Sequence, residues 1–497
     1  MLKFKLIAAV LMLAVSLKAE KRFEFTTPAK EAYDLAMSLR FDEARSLLQK
    51  IKSSDPDNLI VYHIENYIDF FTVYISENQA LFYKLEPNKE FRIEKIREGD
   101  PGSPYYLYLQ ANVRLHWALA RLKFEEYFTA FREVNRAFKL LQENSRKFPD
   151  FMPNKKDLGI LHAMVGTIPD EYKWGVELLS SLNGTIDQGR KEIEEVLEYA
   201  RRQPFIYENE TRVLYAYLLF YLDDAGDAAW EILKNGNHID PKTNPLACFT
   251  LANLAMRSGK NDEAANILSN RPKGAQYFPF PYLDFMLGLA KLRRLDNDAG
   301  QYFQLFLKNF NGRHFIKEAY QKLAWLALIQ NDSNNFNRYN KLCLQKGNSV
   351  VGSDKNAHSE AASGIVPDII LLKARLLFDG GYYQRAYDLL KRKSSANFTS
   401  TRHQIEFTYR LGRILHMLHR HNEALRFYQR TIDSGADKPY YFACNAALQA
   451  GLLLEDLKRY VGARNYFQQC LKIKPEEHAS GLHQQAKAGL ERLKGKS

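Results

Sequence analysis

The residues that could do chemistry are few and scattered. The densest nitrogen-ligand grouping is His416-x-x-His419-x-His421. A zinc site needs three or four converging His, Cys or carboxylate ligands, and no thiol or acid is spaced to complete this set. The three histidines therefore read as turn residues rather than ligands, and no metal is expected. Carboxylates are abundant, but none stands at a spacing that selects a general acid and base from solvated acids. The chain has no P-loop, no dinucleotide glycine fingerprint, no HExxH helix and no GxSxG elbow. No catalytic residue and no cofactor is assigned, and the chain is not expected to be an enzyme.

The four cysteines are Cys248, Cys343, Cys444 and Cys470. They are too sparse for a disulfide scaffold, although an even number permits bridges in an oxidising compartment. Cys444 opens the first helix of the last predicted pair and Cys470 lies late in the second. Antiparallel helices bring those ends together, which makes the two a candidate disulfide. The alternative is that Cys470 stands where alanine would, packing as a small hydrophobe. Asn183, Asn209, Asn331 and Asn397 each begin an N-x-S/T triplet, relevant only to a host that secretes through a eukaryotic pathway.

The elements that position these residues are set by a repeat. From Ala447 the chain reads Ala447-x2-Ala450-Gly451-x2-Leu454, then Ala463-x3-Phe467, Cys470 and Pro475. Small residues at 451 and 463 let two antiparallel helices approach closely while larger side chains fill the remaining space. The same order precedes it in Thr408-x2-Leu411-Gly412-x2-Leu415 with Ala424-x3-Tyr428, and again with Ala374, Leu377, Ala386 and Leu390. Ala44 stands before Pro56 as Ala463 stands before Pro475. Weaker copies run through Leu251, Ala252, Ala264 and Leu268, around Tyr217 and Ala228, and near Gly288.

These residues give the chain a resemblance to tetratricopeptide-repeat (TPR) proteins, in particular exported ones of Gram-negative bacteria. The resemblance implies an all-α fold: a TPR-like α-solenoid of antiparallel helix pairs forming a right-handed superhelix. The clear motifs cover residues 31–58 and 367–475. Over residues 151–200, with Pro169, Trp174 and Gly184-Thr185, the chain resembles a segment of the tetratricopeptide-39 family.

The chain has 497 residues, 46% hydrophobic and 13% aromatic, enough for several domains or a repeat array with an extensive packed interior. The N-terminus, with Lys3 and Lys5 before an apolar Leu6–Leu17 and a small Ala19, reads as a secretory signal too short to span a bilayer. The expected organisation is a signal peptide at 1–19, helical repeats at 20–150 and an irregular helical segment at 151–200. Degenerate repeats follow at 201–345, a loop or hinge at 346–366, clear repeats at 367–475 and a capping helix at 476–497. The formal charge of +12 is spread without blocks of like sign. That pattern suits solvated helix faces rather than nucleic acid, which is not an expected partner.

The resemblance places first helices on a concave wall, where Arg375, Glu406, Tyr409, Arg413, His416 and Asn445 are the candidate groove residues. Asp368, Leu371 and Leu452 share their register. A groove mixing Arg, acids and Tyr suits an extended peptide or a partner helix. Some members grip a C-terminal carboxylate with Lys and Asn at fixed positions. Here Leu371 and Arg375 occupy them, so that clamp is not expected. The function read from the sequence is a non-enzymatic scaffold or adaptor of the bacterial cell envelope, exported to the periplasm or peripherally associated with the outer membrane, with protein partners. The alternative is an envelope ligand carrier or enzyme with a pocket around residues 159–189.

Overall fold

A computed structural model describes residues 21–168, 180–222, 226–236 and 240–496. The expected signal peptide, and Pro169, Trp174 and Gly175, lie outside the described residues. Helices account for nearly all of the ordered backbone; among the described residues the only β feature is an isolated bridge between Arg22 and Asn58. No helix among the described residues is long and apolar enough to cross a membrane.

The chain divides into two compact units, one formed by Met1–Leu254, Asn270–Tyr282 and Phe310–Gly312, the other by Ala255–Ser269, Leu283–Asn309 and Arg313–Ser497. In chain order the first unit carries α1 (Thr27–Met37), α2 (Phe41–Ser54), α3 (Ile60–Ser76), α4 (Gln79–Leu85), α5 (Pro87–Arg97), α6 (Pro104–Lys123) and α7 (Tyr127–Lys147). It continues with α8 (Met152–Gly166), α9 (Ile186–Arg202), α10 (Glu208–Leu222) and α11 (Gly226–Lys234). Then come α12 (Pro245–Arg257), α13 (Asn261–Ser269), α14 (Tyr282–Arg294), α15 (Ala299–Asn309), α16 (Ile316–Ile329), α17 (Ser333–Gln345) and α18 (Gly352–Ser363). The chain ends with α19 (Ile369–Asp379), α20 (Tyr383–Leu390), α21 (Thr401–Met417), α22 (His421–Gly435), α23 (Phe442–Asp456), α24 (Tyr460–Lys472) and α25 (Ala479–Arg492). Neighbouring helices pack as antiparallel hairpins, among them α1 with α2, α6 with α7, α16 with α17, α21 with α22 and α23 with α24. The fold is an all-α, TPR-like solenoid.

The repeat has a backbone signature as well as a side-chain one. In eight hairpins the turn holds one residue in the left-handed region: Leu39, Glu125, Gly259, Leu295, Asn331, Gly381, His419 and Lys458. Most stand two places before the second helix. This left-handed residue reverses the chain in the fewest residues, and it shows that the degenerate middle copies keep the same turn. His419 is one of these turn residues, which accounts for the histidine cluster at that corner.

Packing follows the small–large code. A Cβ on Gly451 would lie 2.6 Å from the ring of Phe467, and one on Gly412 2.8 Å from that of Tyr428. Phe467 is also covered from α25, where a Cβ on Gly489 would lie 2.6 Å from the same ring. The terminal helix thus closes the last hairpin by burying Leu482, Ala486 and Gly489 against it.

Two segments interrupt the regular hairpins. Residues 346–366, expected as a loop or hinge, contain the helix α18, packed on α16 and α17. Asp354, buried there, caps α16 across 36 residues of sequence, a long-range bond that no local pattern reveals. The described residues of 151–200 form a closely packed helix pair, α8 with α9. A Cβ on Gly189 would lie 2.2 Å from the Gly159 carbonyl oxygen, and one on Gly166 2.4 Å from the Ile186 nitrogen. Gly159, Gly166, Gly184 and Gly189 all lie in close contact with facing residues, and residues 169–179, at the centre of the pocket considered there, lie outside the described residues.

Candidate functional site

The second unit contains a charged groove walled by first helices. N-caps fix where those helices begin: Asp368 accepts from the amides of Ile370 and Leu371 at the start of α19, and Ser400 from that of His403 at the start of α21. Asp368 therefore serves as a cap. The main cleft has a volume of about 450 Å³ and is bounded by α16, α18, α19, α21 and the 476–478 turn. It joins a second hollow of about 210 Å³ between α19, α21 and α23, with Arg375, Arg410 and Tyr441 shared by both.

Five of the six expected groove residues meet here. Arg375 and Glu406 line the larger cleft, and Arg375, Tyr409, Arg413 and Asn445 the smaller. The Tyr409 hydroxyl accepts from Asn445 Nδ2 at 2.8 Å and from an Arg413 terminal nitrogen at 3.3 Å. Both of its lone pairs are thereby engaged, which leaves its own proton to be donated. The Arg413 guanidinium sits 5.0 Å from the Phe378 ring centroid, and its Nε is buried without a hydrogen-bond partner among the described residues. The hollow thus holds the Tyr409 hydroxyl proton beside a guanidinium and apolar ring surface. Glu406 is engaged by Arg410, which bonds it through Nε at 2.7 Å.

His416 does not line either hollow. Its Nδ1 lies 3.1 Å from the Tyr428 hydroxyl, inside the hairpin, and burial first, then nearby Arg413, lowers its pKa to about 4. Among the described residues no group of three or more His, Cys, Asp or Glu gathers in a way that could hold a metal. Cys444 and Cys470 are brought together but not bonded: their sulfurs are 3.6 Å apart, and all four cysteines of the chain are buried free thiols. Cys470 is fully buried in the last hairpin.

Sequence reasoning missed the other half of the groove. Trp325 is buried against two cleft-lining side chains, with Lys322 Nζ 3.9 Å and the Arg375 guanidinium 4.6 Å from its ring. Its Nε1 donates to Glu360 Oε1 of α18 at 2.5 Å. Arg402, 4.8 Å from the Tyr440 ring, pairs with Glu477 at 3.0 Å. Trp325 and Glu360 are 35 residues apart, Arg402 and Glu477 75, and only the order of the hairpins brings these pairs together.

The first unit holds a second, largely buried cluster. Lys156 Nζ bonds Asp157 and Glu210, each at 2.9 Å. Glu210 also accepts from the Tyr67 hydroxyl at 2.6 Å and from that of Tyr33. Burial opposes ionisation of Glu210, but Lys156 and the two hydroxyls outweigh it and hold its pKa at about 2. His63 and His116 are buried beside this network, His63 Nε2 3.3 Å from the Tyr207 hydroxyl and His116 Nδ1 bonded to Asn66 at 2.9 Å. Burial lowers them to about 3 and about 4. Enclosure on this scale makes the cluster a structural element of the unit.

A pH dependence follows. Both folded-state values lie below the ~6.5 of an unfolded histidine, so below pH ~6.5 the unfolded chain takes up protons that the folded one refuses. Stability therefore falls on acidification, by up to ~1.4 kcal/mol per pH unit for each histidine, until the folded values are reached. Glu210 contributes little between pH 6.5 and 4.5, since its stabilisation is present above its unfolded value of ~4.3 and is lost between there and pH 2. Urea midpoints at pH 6.5 and 4.5 are expected to drop steeply in the parent chain. The drop should be smaller in a His63→Gln/His116→Gln variant, and equal losses would refute the assignment.

No protein-family model matches this chain, and no curated protein matches it. Among solved structures it is similar to yeast Tom70 at 12% identity, over 97% of this chain and 91% of that one, with a TM-score of 0.25. The APC/C hetero-tetramer Cut9–Hcn1 is similar at 13% identity, over 94% of this chain and 100% of that one, with a TM-score of 0.25. A monomeric IFIT1 mutant with Gppp-AAAA is similar at 13% identity, over 86% and 99%, with a TM-score of 0.28. At these TM-scores the likeness adds nothing to the repeat geometry, on which the assignment to the TPR-like solenoid class rests.

Proposed function

We propose that this chain is a non-enzymatic protein-binding scaffold or adaptor of the bacterial cell envelope, and that it holds a partner peptide or helix in the groove of its second unit. The observation that carries this reading is the hollow at Arg375, Tyr409, Arg413 and Asn445, where the Tyr409 hydroxyl keeps its proton for an acceptor beside the Arg413 guanidinium and the Phe378 ring. An extended peptide supplies such acceptors along its backbone, with side chains for the apolar surface. The groove is long, polar and open, whereas small-molecule sites are predominantly apolar and enclose most of their ligand. Export rests on the N-terminal signal, and peripheral outer-membrane association extends the same reading.

The test is a photo-crosslinking amino acid at His403, which lines the cleft, with one at Gln384 on a second helix as the comparison. Protein adducts are expected from position 403 and to be lost in Tyr409→Phe/Arg413→Ala, which keeps the ring packing and removes the donors. A partner held by these donors should bind that variant about tenfold more weakly, ~1.4 kcal/mol. Adducts that survive the double substitution, or arise only from position 384, would defeat the groove reading. Periplasmic fractionation with N-terminal sequencing of the mature chain tests export, and a retained Met1 in the cytoplasmic fraction would overturn it.

A further inference from the structure

Helix α18 is foreign to the repeat. It is inserted between the α16/α17 and α19/α20 hairpins, and its sequence, GSDKNAHSEAAS, carries no apolar stripe. Asp354 and Ala357 are its buried residues. A helix of this length without an apolar face is not stable by itself in water, so α18 depends on its polar grips. Asp354 accepts from the backbone amides of Phe315 at 2.7 Å and Glu318 at 2.9 Å, capping α16. Glu360 accepts from Trp325 Nε1 at 2.5 Å and lies 3.9 Å from Arg375. Gly347 and Gly364, on either side, both have left-handed backbone. Through Ser353, Asn356, Ser359, Glu360 and Ser363 the helix forms one wall of the larger cleft.

Resting on the groove reading above, we propose that α18 is a displaceable resident of the groove, and that an acidic side chain of the partner peptide takes the place of Glu360 at Trp325 and Arg375. Withdrawing Glu360 removes the acceptor from an indole N–H whose residue is 2% exposed. A buried donor left without an acceptor is strongly unfavourable, so the site requires a replacement. Arg375 on one side, and Lys322 against the same ring, make an ionised acceptor better than a neutral one. Glu318 and Asp379 stay near Lys322 at 3.4 Å and Arg375 at 3.9 Å, so they are already committed. The charge that α18 supplies is thus the charge the partner must bring, and the resident helix and the peptide exclude one another.

The test uses the full chain and a fluorescein-labelled dodecapeptide of alternating Gly and Glu, with its Gly–Lys counterpart as control. In hydrogen exchange, α18 amides are expected to exchange at least tenfold faster than those of α16, and faster still in Asp354→Ala. By fluorescence polarisation the acidic peptide should bind Asp354→Ala about tenfold more tightly than the parent chain, and adding Arg375→Ala should abolish the gain. Glu360→Gln, which keeps the cap on α16, should also tighten binding and guards against a folding defect in Asp354→Ala. If α18 is as protected as α16, or the acidic peptide binds all variants equally through Arg375, the displaceable helix is overturned while the groove reading stands. If neither peptide binds any variant while the position-403 adducts persist, the acidic partner is overturned. Loss of those adducts as well would remove the groove reading itself.

Discussion

Lys156→Met is expected to destabilise the first unit by about 3–5 kcal/mol, the magnitude for breaking a buried ion pair by removal of one partner. Lys156 is buried on α8 and touches two carboxylates, Asp157 and Glu210. Burial works against its charge, yet the two acids push its pKa above the ordinary lysine value. Methionine fills a similar volume but leaves two like charges facing each other out of water. One of them must then take a proton, and the Tyr33 and Tyr67 hydroxyls that now donate to Glu210 lose an ionised acceptor. Hydrogen exchange of α3, α8 and α10 amides reports the first unit alone, which matters because a chain of two units need not unfold in one step. Adding Glu210→Gln should recover part of the loss, because the pair then no longer leaves two charges unpaired. A loss under about 1 kcal/mol in Lys156→Met would show that the network is hydrated and not enclosed.

The same cluster shows what a sequence can and cannot disclose about this fold. Gly451, Ala463 and Phe467 were legible because the contact they make is local: within one hairpin, spacing alone decides which side chains meet. Gly412 with Tyr428 followed for the same reason. The groove was half legible. Register placed Arg375, Tyr409, Arg413 and Asn445 on first helices, and the hollow they line is real. His416 fails because its ring turns into its own hairpin towards Tyr428, a choice of side-chain direction that register does not fix. Trp325 with Glu360, and Asp354 with the amides of 315 and 318, were illegible because the inserted helix α18 determines them. Lys156 and Glu210 stand 54 residues apart on non-consecutive helices, and each alone reads as an ordinary solvated charge. The turn residues Leu39, Glu125 and Lys458 adopt a left-handed backbone without being glycine, so the degenerate repeats hid their most regular feature.

Gly189→Ala is expected to destabilise the chain by about 3 kcal/mol, at the upper end for overpacking. The expectation runs against helix propensity, by which alanine should favour a helix interior by ~1 kcal/mol over glycine. Gly189 lies in α9 where α9 crosses α8. A Cβ there would meet the Gly159 carbonyl oxygen at 2.2 Å, the Ala163 nitrogen at 2.6 Å and the Ala163 Cβ at 2.8 Å. Two of these three obstacles are backbone, which cannot rotate aside, so the helices must separate. Ile193 and Ala163, both buried at the crossing, would lose contact along with them. Gly481 in α25 provides the opposite case, since a Cβ there has nothing within 4 Å. Gly481→Ala should therefore be neutral or stabilise by up to ~1 kcal/mol. Urea denaturation of the two variants separates the effects: opposite signs confirm that α8 and α9 touch through backbone. If Gly189→Ala were as harmless as Gly481→Ala, the backbone contact between α8 and α9 would be refuted.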